Sequence, residues 1–74
     1  MKRKDQHVVP RGNKWGVRSS GAEKVSRLYG TQQEAIDNAR QKARRDGVDL
    51  YIHGRDGRIR ERSSFGRDPF PPKG

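Results

Sequence analysis

Apolar and polar positions alternate near both ends of the chain and recur at helical spacing between them. His7-Val8-Val9-Pro10 and Lys14-Trp15-Gly16-Val17-Arg18 read as two strands around a Gly12-Asn13 turn. A two-residue loop sets Arg11 opposite Lys14, Pro10 opposite Trp15 and Val8 opposite Val17. Val8, Trp15 and Val17 then share a core-like face, and His7, Arg11, Lys14 and Arg18 share the other. Pro10 has no N–H to give a ladder, so it is expected at an edge or a strand end. Ser19-Ser20-Gly21-Ala22 is a second turn, and Lys24 to Tyr29 reads as a third strand. Its apolar residues do not alternate cleanly, so the pattern leaves open which of Val25 and Leu28 faces inward.

Thr31-Gln32-Gln33-Glu34 is a capping box, with Thr31 as the cap and Glu34 three residues on. Ala35, Ile36, Ala39 and Ala43 follow as one apolar stripe. Gly47 is a natural stop, and Arg44 and Arg45 in the last turn complement the helix dipole. A stripe made mostly of alanine predicts close approach of helix to sheet, with Trp15 and Ile36 supplying most of the core volume.

Asp49 to Arg55 and Arg58 to Arg62 flank Asp56-Gly57, a strong hairpin signal. A two-residue loop pairs Arg55 with Arg58, Gly54 with Ile59, His53 with Arg60, Ile52 with Glu61 and Tyr51 with Arg62. Leu50, Ile52 and Ile59 then point to the helix, and Tyr51, His53, Arg55, Arg58, Arg60 and Arg62 point away. The expected fold is α+β: a small antiparallel sheet in the order β-β-β-α-β-β, with one helix packed on one face. Residues 1–64 form this single domain. Residues 65–74 form an extended proline-rich tail, which Phe65 and Phe70 are placed to pin down.

Composition limits what such a domain can do. Only 27% of the 74 residues are hydrophobic and none is cysteine. The core is therefore thin, and neither disulfides nor thiolate metal sites support it. Self-association is one route to more buried area, so a homodimer is a possible partner state. No apolar run reaches membrane-spanning length, and the basic start Met1-Lys2-Arg3-Lys4 is followed by no apolar segment. A cytoplasmic location is the expectation, with no membrane partner.

Eighteen Lys and Arg stand against nine Asp and Glu, for a net charge of +9, which is the footprint of a polyanion binder. The excess is uneven. Residues 1–30 hold 8 basic and 2 acidic residues, whereas residues 48–74 hold 6 and 4. Like charges facing each other weaken a sheet by up to about 1 kcal/mol per pair, which is best tolerated where the charges meet an anion. Arginine forks suit phosphate oxygens, and an interleaved aromatic suits single strands. Arg11, Lys14, Arg18, Tyr51, His53, Arg55, Arg58, Arg60 and Arg62 are the candidate nucleic-acid contacts. The plainer alternative is a solvated, charged sheet surface that discourages aggregation.

Nothing points to catalysis. His7 and His53 are the only good acid–base groups near neutral pH, and no serine, cysteine or paired carboxylate stands at a recognisable spacing. No zinc-ligand spacing occurs, and Gly54-Arg55-Asp56-Gly57 lacks the strand-to-helix setting of a phosphate loop. No cofactor and no small-molecule substrate are expected.

Several stretches together carry a resemblance. They are His7-Val8-Val9-Pro10, Trp15-Gly16-Val17-Arg18, Thr31 to Ile36, His53 to Glu61, Gly66-Arg67-Asp68-Pro69 and Pro71-Pro72-Lys73-Gly74. They resemble the bacterial domain-of-unknown-function family 2188. That resemblance implies no activity, substrate or catalytic residue; it implies a self-sufficient domain to which the tail belongs. A pattern-level likeness from Trp15 to Ala35 is similar to the arm-binding domains of phage-type integrases, which bind DNA through a sheet. The second hairpin departs from that pattern. The resulting expectation is a non-enzymatic nucleic-acid-binding module, or alternatively a protein-interaction or self-associating one.

Overall fold

The first hairpin forms in the register its turn dictates. In the computed structural model, which describes residues 4–22 and 24–65, β1 (Gln6–Arg11) pairs antiparallel with β2 (Lys14–Ser19). Arg11 faces Lys14, Pro10 faces Trp15 and Val8 faces Val17. Val8, Trp15 and Val17 are buried on the helix side. Residues flanking a two-residue loop form a hydrogen-bonded pair, so alternate residues of β1 turn their nitrogens away from β2. Pro10 is one of these, and pairing of β1 with β4 ends before it, at Val8. The missing donor thus falls where the ladder has stopped.

β3 is short, Arg27–Tyr29, and lies at the sheet edge beside β2. Leu28 is the register partner of Gly16, and Tyr29 of Trp15. Tyr29 therefore packs toward the core, while Leu28 lies on the helix-free face, 49% exposed. Val25 sits on Gly16: a β-carbon at position 16 would stand 2.6 Å from Val25 Cγ1. The clustered apolar residues of this segment serve two faces, which is why they did not alternate.

α1 (Gln32–Asp46) begins at Thr31, whose Oγ1 accepts from Glu34 N at 3.2 Å. It ends at Gly47 in the left-handed region, whose N–H is given to the Ala43 and Arg44 carbonyls. Ala35, Ala39 and Ala43 are buried against the sheet. Ile36 is only partly buried, so it does not share the core volume with Trp15 as expected. Leu50, Gln6 and Val8 are the largest fully buried side chains, because they lie on the adjacent central strands under the alanine stripe.

The sheet order is β3-β2-β1-β4-β5, with β4 (Asp49–His53) and β5 (Ile59–Ser64) forming the second hairpin. The α+β architecture and element order are those expected, but the sheet is mixed rather than wholly antiparallel. β1 and β4 run parallel, with His7 beside Tyr51 and Val8 beside Ile52. Parallel neighbours need a long crossover, which β2, β3 and α1 together supply.

The second hairpin corrects the two-residue loop. Gly54 N donates to Arg58 O at 2.8 Å, and Gly57 N to Gly54 O at 2.9 Å. The loop is therefore the three residues Arg55-Asp56-Gly57, with Gly57 at φ 87°, where a side chain would be strained. His53 pairs with Ile59 rather than Arg60. A bulge at Arg60 then restores Ile52 opposite Glu61 and Tyr51 opposite Arg62. Two one-residue shifts cancel, so the expected register holds away from the turn and fails beside it. Ile59 moves to the helix-free face, 55% exposed, instead of joining Leu50 and Ile52. Arg60 leaves the predicted arginine row and lies over Gly54, its Cδ 3.1 Å from where a β-carbon would stand.

Phe65, expected to begin the tail, donates its N–H to Val48 O and packs on the core. The rest of that tail, Phe70 included, lies outside the described residues. Among the described residues, no helix is long and apolar enough to cross a membrane.

Gly16→Ala is expected to lower stability by about 1–3 kcal/mol through collision with Val25. Adding Val25→Ala should recover part of that loss. Urea unfolding of the two variants checks this; an undiminished midpoint for Gly16→Ala alone would show that Val25 yields freely.

Candidate nucleic-acid interface

The parallel pairing of β1 with β4 sets the two hairpin turns side by side at one end of the sheet. Arg55 joins them: Nη1 donates to Gly12 O at 3.1 Å, and the guanidinium lies 4.8 Å from the Trp15 ring centre. Arg11 and Lys14, both exposed, face each other across the first turn. Arg58 projects from the second turn with 87% of its side chain exposed, 4.0 Å from Asp56. Arg60 lies over Gly54 close by. Arg11, Lys14, Arg55, Arg58 and Arg60 thus collect at this turn end, where Asp56 is the acid of the second loop.

The middle of the helix-free face is internally bonded. His53 Nδ1 lies 2.9 Å from Gly57 O, His53 Nε2 lies 3.0 Å from His7 Nδ1, and His7 Nε2 lies 2.9 Å from Ser20 Oγ. A carbonyl can only accept, so His53 Nδ1 carries a proton and donates to Gly57 O. His7 bonds through both ring nitrogens, Nδ1 with His53 Nε2 and Nε2 with Ser20 Oγ. Ser20, His7, His53 and Gly57 thus form one continuous hydrogen-bonded chain. His7 also stacks on Tyr51, with ring centres 4.9 Å apart and an interplanar angle of 18°. The Arg62 guanidinium lies 5.8 Å from the Tyr51 ring centre.

Acids gather at the other end. Asp49 Oδ1 accepts from Ser64 Oγ at 2.8 Å, and Asp49 Oδ2 from Arg62 Nη2 at 3.1 Å. The Ser64 hydroxyl, helped by Arg62 and opposed by burial, holds the Asp49 carboxyl below its usual range. Asp5 Oδ1 accepts from Asp49 N at 3.0 Å.

The nine predicted contact residues therefore divide. Arg11, Lys14, Arg55 and Arg58 converge at the turn end, although Arg55 and Arg58 do not face each other across the sheet as expected. Arg60 is displaced by the bulge. Arg18 is half-buried and donates to Ala22 O at 2.9 Å, and Arg62 is tied to Asp49. Tyr51 is flanked by His7 and Arg62, and His53 is bonded into the relay. The His7–His53 contact was missed, because a strand register between distant segments has no local signal. Among the described residues, no group of three or more His, Cys, Asp and Glu is placed to hold a metal ion.

Burial first, then His53 and Arg18, push the His7 imidazole below its ordinary value of 6.5, with Asp5 pulling the other way. The unfolded chain therefore takes up this proton first. Its contribution to stability is complete above 6.5 and falls as pH drops through the lowered folded value. Urea midpoints measured between about pH 7.5 and 5 should decline for the native chain and decline less for His7→Gln. Equal slopes would remove His7 as the cause.

Residues 6–65 match the family model described as an uncharacterized protein conserved in bacteria (DUF2188). The chain is also 32% identical over 63 residues to the uncharacterized protein YdaT of Bacillus subtilis (strain 168), covering 85% of this chain and 42% of that protein. The chain thus spans less than half of that relative's length. No solved structure matches it. With the family model covering every element from β1 to β5, the chain belongs to the DUF2188 family.

Proposed function

We propose that this chain is a nucleic-acid-binding module that grips phosphates with the turn end of its sheet. One observation carries the reading: parallel β1–β4 pairing brings Arg11, Lys14, Arg55 and Arg58 from two separate hairpins to one end. Arginine forks there suit phosphate oxygens. The net charge of +9 supplies the long-range attraction. Tyr51 is already stacked with His7, so the reading favours backbone contact over base stacking. The role proposed is one of binding rather than catalysis. A cytoplasmic location goes with it.

Gel shifts on duplex DNA at roughly 50 and 200 mM salt test it, because released counterions make phosphate binding fall steeply with salt. The triple variant Arg11→Ala, Lys14→Ala, Arg58→Ala should bind more weakly and flatten the log–log salt slope by about 0.9 per lost contact. Absence of binding at the lower salt overturns the reading.

Self-association is favoured by a separate observation, the exposure of Leu28 and Ile59 on the helix-free face. Light scattering checks it: a dimer that Leu28→Ser and Ile59→Ser dissociate is the expected result, and a monomer in the native chain excludes it.

A further inference from the structure

On the opposite side of the sheet, α1 leaves part of the edge strand β3 uncovered. A cleft of about 600 Å³ opens between the helix and β2–β3. Val17 and Ser19 come from β2, Arg27 and Tyr29 from β3, and Gln41, Lys42 and Arg45 from α1. No carboxylate is among the lining residues, and three of them are cations. Asp46, next to the cleft, lies 3.7 Å from both Lys42 Nζ and Arg45 Nε. One carboxylate therefore offsets Lys42 and Arg45 together. Among the described residues, the side chains of Arg27 and Gln41 have no hydrogen-bond or ion-pair partner. Ser19 Oγ accepts from the buried Gln6 Nε2 at 3.2 Å, which leaves the Ser19 hydroxyl proton free to donate. The cleft thus presents guanidinium, ammonium, amide and hydroxyl donors.

We propose that this cleft binds a phosphate monoester borne on an organic group of nucleotide size. Two arginines and a lysine with no lining acid suit a phosphate dianion, whose oxygens take paired N–H donors from a planar fork. A bare phosphate would leave most of the volume empty, which lies in the range of small-ligand sites. The partly buried Tyr29 ring offers apolar surface to the rest of the molecule. The phosphate has two possible sources, a free mononucleotide or the phosphorylated end of a strand. The site is remote from Arg11, Lys14 and Arg58, so it stands or falls separately from the turn-end reading.

The test is an amide-resolved NMR titration of the native chain with adenosine 5′-monophosphate, with adenosine and sodium chloride as controls. The expected result is saturable shifts at Arg27, Tyr29, Gln41 and Arg45 with the nucleotide only. Arg27→Ala and Arg45→Ala are each expected to weaken it about tenfold. Both side chains are exposed, and unchanged amide dispersion verifies the fold. Arg11→Ala with Lys14→Ala is expected to leave it unchanged. A second arm compares 5′-phosphorylated with 5′-hydroxyl oligonucleotides. Preference for the phosphorylated one at these same amides assigns the strand end as a source; no preference leaves the free nucleotide. No saturable shift with either phosphorylated probe overturns the proposal, as do equal shifts with adenosine or salt, or shifts confined to residues 11–14 and 55–58.

Discussion

The parallel contact between β1 and β4 is the constraint on which the rest of this small structure depends. Each hairpin alone is a two-stranded ribbon, which is marginal in water. Joining them creates one sheet with a continuous buried face, where Val8 and Ile52 lie side by side and Gln6 beside Leu50. It also fixes the helix, because a chain leaving β3 at the edge must cross that face to enter β4 in the parallel direction. The alanine stripe follows from this route. Ala35, Ala39 and Ala43 let the helix backbone come close enough to cover the central strands, whose larger side chains fill the space.

Local chemistry was readable wherever a turn or cap fixes geometry by itself. Gly12-Asn13 gave the complete register of the first hairpin, and Thr31 and Gly47 bounded the helix. Asp56-Gly57 marked the second turn but not its length. An Asp-Gly pair fits both a two-residue loop and a three-residue loop with glycine in the left-handed position. The compensating bulge at Arg60 hid the difference from any reasoning based on residues further along. Val25 and Leu28 were ambiguous because one covers Gly16 and the other extends past it on the same face. The His7–His53 contact and the meeting of the two turns were illegible for a different reason. They depend on pairing residues more than forty positions apart, and no local pattern encodes that partner.

The arginine content has a second meaning in a core this thin. Arg55 lies over Trp15, Arg44 over Phe65, Arg62 over Tyr51 and Arg60 over Gly54. Long cationic side chains here cover aromatic rings and a bare backbone that a larger domain would cover with leucine or isoleucine. Part of the excess positive charge therefore belongs to packing. Net charge taken alone overstates how many cations await an anion.

Packing and binding need not compete for the same guanidinium. An arginine laid flat on a ring uses its face, while its N–H groups lie at the edge, in the plane. Arg55 combines both roles: its guanidinium carbon lies 4.8 Å from the Trp15 ring centre while Nη1 already donates to Gly12 O across the gap between the turns. Fixing the fork in this way removes side-chain freedom that a phosphate contact would otherwise have to restrict. Arg62 also lies beside a ring, that of Tyr51, but its Nη2 donates to Asp49 Oδ2 rather than to a backbone carbonyl. Of these two stacked arginines, Arg62 is thus already met by a carboxylate, whereas the Arg55 fork is met by a backbone carbonyl.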